Sequence, residues 1–189
     1  MATPEQTPAP VIEQILELFA ERGAREYMGE AVSMSQHMEQ SAACAAADGS
    51  PESLVIAALL HDIGHFIGEH PIEALENGID NRHEEVGADY LREYFPPEVT
   101  EPIRLHVAAK RYLCATDADY LARLSPASVD SLGVQGGPMD AAEIESFEAN
   151  PYHRDAVRLR LYDDDGKVAG LDIKPVFEYR QALESQLVR

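Results

Sequence analysis

Residues 57–66, AALLHDIGHF, run from an apolar helical pattern straight into His61, Asp62 and His65. Burying imidazole and carboxylate groups costs several kcal/mol unless something pairs with them. Candidate partners are spread along the chain: His37 lies 24 residues earlier, His83 lies 22 later, His106 a further 23 beyond, and Asp163 ends a later helical stretch. One ligand or ligand pair per helix, drawn from successive helices, is how helical bundles build two-metal sites. Neighbouring helical residues point about 100° apart. His61 and Asp62 therefore serve one metal together only at a helix end, or else Asp62 reaches between two metals. A carboxylate has two oxygens with which to bridge, and an imidazole does not. Taken singly, His37 or His83 reads more readily as a structural histidine, and His70 and His153 as solvated loop residues. A buried, hydrogen-bonded His61–Asp62 pair is the plain alternative. Four histidines and two aspartates, all at helix positions, favour a metal centre.

The elements that must position these residues read as helices throughout. From Pro10, Val11, Ile15, Leu18 and Phe19 share one helical face, and Gly23 closes that helix. REYMGEAVS reads as a loop, followed by a helix over 35–47. Ser50 and Pro51 are expected as N-cap and first helical residue of a helix that runs to Phe66. Gly68, Pro71 and Gly78 make 67–82 a long loop, a common setting for lids and binding segments. Further helices are expected over 83–94, 97–112, a short one from Ser125-Pro126, 139–149, 152–162 and 175–187, with DDDGK as a turn. The fold class is all-α, with residues 1–9 as a flexible N-terminus and 10–189 as a single domain.

Fifteen Lys and Arg against 34 Asp and Glu give a formal charge of -19, which argues against a nucleic-acid backbone and against anionic membranes as partners. Two cysteines, Cys44 and Cys114, form no paired framework or C-x-x-C motif. The start MATPEQTPAP lacks the pattern of a signal peptide, and no apolar run approaches a bilayer-spanning length. A cytoplasmic protein, monomeric or a small homo-oligomer, is expected.

The order His37, His61-Asp62, His83, His106, Asp163 resembles the HD-domain superfamily, whose members carry H…HD…H…H…D around two metals and are mostly phosphohydrolases. Four further segments narrow the resemblance: YMGE at 27–30, HVAAKRYL at 106–113, VQGGPM at 134–139 and LYDDDGK at 161–167. These are similar to the mixed-valent diiron oxygenases of the PhnZ and TmpB type, over roughly residues 27–180. The resemblance implies an HD-type helical bundle with a two-metal centre in its core. It implies two iron ions, as an Fe(II)/Fe(III) pair, one held by His37, His61, Asp62 and Asp163 and the other by Asp62, His83 and His106, with Asp62 bridging. The ligand set alone suits manganese equally. The implied reaction is oxidative cleavage, with O2, of the carbon–phosphorus bond of a 1-hydroxyphosphonate bearing nitrogen at carbon 2. The products are glycine or glycine betaine and phosphate.

A phosphonate needs a cationic cradle. Lys110 lies four residues beyond His106 and Arg160 three before Asp163, so each shares a helical face with its ligand. Ser128 sits in a helix start that suits an anion. An exposed lysine is the competing reading for Lys110, and Arg160 has Asp155 and Asp164 as rival partners. His65 faces nearly the same space as His61 and Asp62 and is expected as a substrate-contacting donor; a core histidine bonded to backbone competes. Asp62, His65 and Lys110 are the expected catalytic set. Tyr27 and Glu30, in the matched YMGE segment, are expected to gate the site and meet the substrate's cationic nitrogen. Gln135 shapes the pocket without an assigned contact. The scarcity of amide acceptors in FIGEHP after His65, together with Tyr27 and Glu30, favours (R)-1-hydroxy-2-(trimethylammonio)ethylphosphonate over 2-amino-1-hydroxyethylphosphonate. A metal-dependent HD phosphohydrolase, a ligand-sensing HD domain that has lost its metals, and a polyol-cleaving oxygenase are the alternatives. The complete ligand set speaks against the second, and Lys110 and Arg160 speak against the third.

Overall fold

A computed structural model describes residues 10–27, 29–68 and 80–188. The described chain is all-α; its one β feature is an isolated bridge between Glu26 and Ser33. The helices are α1 (Pro10–Arg22), α2 (Met34–Ala47), α3 (Glu52–Leu60), α4 (Gly64–Ile67), α5 (His83–Leu91), α6 (Pro97–Thr116), α7 (Pro126–Val134), α8 (Ala141–Glu148), α9 (His153–Asp165) and α10 (Arg180–Ser185). Short 3-10 turns precede α7 and α10. The expected flexible N-terminus and most of the expected long loop lie outside the described residues, as does His70.

Helix α3 explains the arrangement. Leu54 to Leu60 are buried on every face, so the helix has no solvent side and must sit at the centre. It packs against α2, α6 and α9, and α5 closes on α6. Each buried Leu or Ile contributes roughly 1.5–3 kcal/mol, enough together to carry the polar residues that follow. Helix α2 starts with a capping box not anticipated from the sequence: the Ser33 hydroxyl accepts from the Gln36 N–H, and the Gln36 side chain accepts from the Ser33 N–H.

Four expectations are corrected. The helix expected to reach Phe66 stops at Leu60; His61, Asp62 and Ile63 form a turn before α4 begins. Ser50 does not cap α3; its hydroxyl meets the Tyr162 hydroxyl at 2.9 Å and accepts from Arg158 at 2.8 Å. DDDGK is only partly a turn, because α9 continues through Asp165. The segment expected as one helix over 175–187 divides into a 3-10 turn and the short α10.

The turn after α3 leaves α4 pressed onto the start of α5. A Cβ added at Gly64 would lie 1.9 Å from the His83 carbonyl oxygen. Backbone cannot yield as a flexible side chain does, so Gly64→Ala is expected to destabilise the protein by about 3 kcal/mol through overpacking, read as a lowered urea midpoint with unchanged slope.

Candidate metal centre

The break after α3 settles the direction problem for neighbouring ligands. His61 caps the end of α3 and Asp62 follows in the turn, so both side chains enter the same buried space. His37 comes from α2, His83 from the first position of α5, His106 from mid-α6 and Asp163 from the last turn of α9. All six are buried.

Backbone and side-chain acceptors fix the ring orientations. The Nδ1 atoms face Gly166 O at 3.0 Å (His37), Ala58 O at 2.8 Å (His61), Ile103 O at 2.8 Å (His106) and the Asn81 amide oxygen at 3.1 Å (His83). A carbonyl oxygen accepts only, so each Nδ1 carries a proton and a neutral ring keeps its lone pair on Nε2. Those Nε2 atoms meet in pairs, His37 with His61 and His83 with His106, each at 3.1 Å. Two lone pairs facing at that distance repel unless a cation lies between them.

Asp62 divides itself between the two pairs. Its Oδ2 lies 3.6 Å from His37 Nε2 and 3.5 Å from His61 Nε2; its Oδ1 lies 3.2 Å from His83 Nε2 and 3.8 Å from His106 Nε2. Asp163 Oδ1 joins the first pair, 3.4 Å from His37 Nε2. Asp62 Oδ2 and Asp163 Oδ1 are buried without a hydrogen-bond donor. Ligands held about 2.1 Å from one ion at tetrahedral or octahedral angles lie about 3.0–3.4 Å apart, close to the separations here. His37, His61 and Asp62 form one group able to hold a metal ion, and Asp62, His83 and His106 form the other.

The electrostatics agree for three rings; His83 is the exception, where burial works to lower the pKa but the bond to Asp62 and its charge raise it. Burial lowers the pKa of His61, lowers that of His106 well below its usual value, and takes His65 down to about 3, all favouring neutral rings. Burial works to raise Asp163, but the Arg160 and Lys167 charges outweigh it and hold the carboxyl well below the usual range.

Beside the centre lies a cavity of about 30 Å³, lined by Tyr27, Asp62, His65, Lys110, Gln135 and Arg160 among others. The exposed-lysine reading of Lys110 is overturned: the side chain is buried, its Nζ donates to Ser131 Oγ at 2.6 Å, and burial and Arg160 take its pKa down to about 7. Ser131, one turn beyond Ser128 on α7, was not singled out in the sequence; only the fold brings it to Lys110.

Arg160 is committed to acids, though not to Asp155, which lies near Arg158 at 3.9 Å. Its Nη1 donates to Asp163 Oδ2 at 2.7 Å, and it also pairs with Asp164 and donates to the Tyr120 hydroxyl at 3.0 Å. Its Nη2 reaches Ser128 Oγ at 3.3 Å, a distance Lys167 Nζ matches. The Ser128 N–H donates to Ser125 Oγ at 3.3 Å, the helix cap. Tyr27 stacks on His37, ring centroids 4.0 Å apart and 15° from parallel. Its segment is a closed turn: the Glu30 N–H donates to Tyr27 O at 2.7 Å, with Gly29 at φ +74°, the conformation that favours glycine. Glu30 Oε1 is buried without a partner. His65 stacks on His83, centroids 4.1 Å apart, and receives Asn81 rather than backbone. Phe66 points into the core against Phe19. His153 is the first residue of α9, half-buried near Phe147, rather than a loop residue.

A buried helical core that carries H…HD…H…H…D defines the class, and the chain belongs to the HD-domain family: residues 25–124 match its HD domain. It is similar over most of its length to named oxygenases. It is 47% identical over 162 residues to the [1-hydroxy-2-(trimethylamino)ethyl]phosphonate dioxygenase (glycine-betaine-forming) of Leisingera caerulea, covering 86% of this chain and 83% of that protein. A hydroxymethylphosphonate dioxygenase of Gimesia maris is 44% identical over 96% of this chain and 90% of its own. An uncharacterized protein of Acanthamoeba polyphaga mimivirus is 35% identical over 91% of this chain and 80% of its own.

Proposed function

We propose that the protein cleaves the carbon–phosphorus bond of (R)-1-hydroxy-2-(trimethylammonio)ethylphosphonate with O2, giving glycine betaine and phosphate. The observation that carries this reading is the division of Asp62 between two histidine pairs, beside a cavity that holds a buried lysine. The relatives' names support it. Residues 10–189 act as one catalytic domain, in the cytoplasm, as a monomer or small homo-oligomer. Among the described residues no helix is long and apolar enough to cross a membrane.

His37, His61, Asp62 and Asp163 would hold one iron, and Asp62, His83 and His106 the other. Bound there, a mixed-valent Fe(II)/Fe(III) pair supplies the redox chemistry with dioxygen that side chains lack. The reaction balances as the substrate, net charge -1 with its phosphonate doubly ionised, plus O2 to zwitterionic glycine betaine, hydrogen phosphate dianion and a proton. The C1–H and C1–P bonds break, and carbon 1 is oxidised as O2 is reduced.

The chain's own residues bind and orient. Lys110, held by Ser131, presents its charge to the phosphonate in a site of low polarity, where an ion pair is stronger than in water. Arg160 adds its charge through Ser128 while steadying Asp163. His65 donates to an oxygen of the substrate. Glu30 Oε1, buried and unpartnered, and the Tyr27 ring meet the quaternary nitrogen, which needs negative charge and aromatic surface but no directional bond. A cavity of about 30 Å³ holds one or two waters, so the Tyr27–Glu30 turn must move to admit substrate.

Phosphate release from three substrates at matched concentration tests the nitrogen assignment. The trimethylammonio compound is expected to give the highest kcat/KM, ahead of 2-amino-1-hydroxyethylphosphonate and hydroxymethylphosphonate. A higher value for hydroxymethylphosphonate, which has no nitrogen, would remove the role given to Tyr27 and Glu30.

A further inference from the structure

Asn81 lies between two stacked rings that belong to different parts of the site. Its amide oxygen faces His83 Nδ1 at 3.1 Å and its amide nitrogen faces His65 Nδ1, also at 3.1 Å. The residue is buried and sits just before α5, next to Arg82, the one non-glycine residue with positive φ (46°) among those described. Such a conformation costs free energy and persists where the surroundings impose it. Here the Asp80 side chain accepts from the Arg82 N–H at 3.1 Å, which locks the turn that aims Asn81 inward.

The sense of the amide follows from its neighbours. His83 Nε2 is directed at His106 Nε2 and Asp62 Oδ1, so with a metal ion there its proton is on Nδ1. Glu84 Oε2, 3.6 Å from the same Nδ1, favours that proton too. Asn81 must then turn its oxygen to His83 and its NH2 to His65. An amide NH2 only donates, so His65 Nδ1 accepts and the remaining ring proton is on Nε2. That nitrogen lies on the cavity side, 4.0 Å from Asp62 Oδ1.

We propose that Asn81 is a positioning residue that transmits the orientation of His83 to His65 and fixes His65 as an Nε2–H donor facing the substrate cavity. The inference rests on the two-metal reading of the site. One amide thereby links the ring turned to the metal with the ring turned to the substrate, and keeps the second from presenting a lone pair to an anionic oxygen. No pairing of residue types announces this in the sequence, because it depends on the left-handed turn at Arg82.

Two measurements test it. The first is the nitrogen NMR spectrum of 15N-histidine-labelled full-length protein loaded with zinc, a diamagnetic ion, which reports ring protonation without turnover. His65 is expected to show an unprotonated Nδ1 and a protonated Nε2, and Asn81→Ala to mix the two forms. A wild-type ring protonated on Nδ1, or a ring indifferent to Asn81→Ala, would overturn the proposal and leave the oxygenase reading untouched. The second is kinetic, at saturating iron. Asn81→Ala is expected to lower kcat/KM by about 10- to 100-fold. In a His65→Gln background, where a rotatable amide supplies its own donor, the same change is expected to cost no more than about twofold. Equal losses in both backgrounds would mean that Asn81 does not act through His65.

Discussion

Asp62→Asn is expected to leave a folded protein that binds at most one metal ion per chain and releases no phosphate above background. Asparagine has nearly the shape of aspartate but only one accepting oxygen; its NH2 would point at one of the two Nε2 pairs. The native carboxylate gives one oxygen to each pair, at 3.2–3.8 Å from the facing nitrogens. It also brings the negative charge that two cations at close quarters require. Losing both at once removes the bridge, whereas a histidine variant removes one ligand from one ion. Metal content by elemental analysis and phosphate release on the same preparation check this. Two metals per chain in Asp62→Asn would show that the carboxylate is not shared.

Metal removal is expected to produce a large stability loss. Without a cation, two pairs of imidazole lone pairs face each other at 3.1 Å, and Asp62 Oδ2 and Asp163 Oδ1 stay buried without donors. A ligand present at about 1,000 times its dissociation constant stabilises the folded state by about 4.1 kcal/mol. For a chain of this size each kcal/mol moves Tm by about 2–4 °C. Dialysis against a strong chelator is therefore expected to lower Tm by about 8–16 °C, with recovery when Fe(II) or Mn(II) is restored. Asp62→Asn should show a much smaller response, since less metal is bound at the start.

Much of this site was legible in the sequence because helical spacing and ligand chemistry are local signals. His37, His61, Asp62, His83, His106 and Asp163 were picked out by type and placement, and the structure brings them within reach of one another. The end of α3 was not legible. Ile63 and Phe66 keep a helical apolar spacing beyond Leu60, and the stop shows only in the turn that lets His61 and Asp62 share a space. Arg160 shows the same limit differently. Its spacing allowed a bond to Asp155, to Asp164 or other acids, or to substrate, and the structure gives it Asp163, Asp164 and Tyr120. Ser131 left no mark because Lys110 lies 21 residues away, and Asn81 left none because its link from His83 to His65, 16 residues away, exists only through folding.

The central claim is that dioxygen, not water, is the co-substrate. Protein purified with iron should be given 1-hydroxy-2-(trimethylammonio)ethylphosphonate under air and under argon, with phosphate followed over time. The account predicts phosphate and glycine betaine in equal amounts under air and neither under argon. Equal release under argon, or hydrolysis of phosphomonoesters there with no action on the phosphonate, would contradict it and make the centre that of a phosphohydrolase.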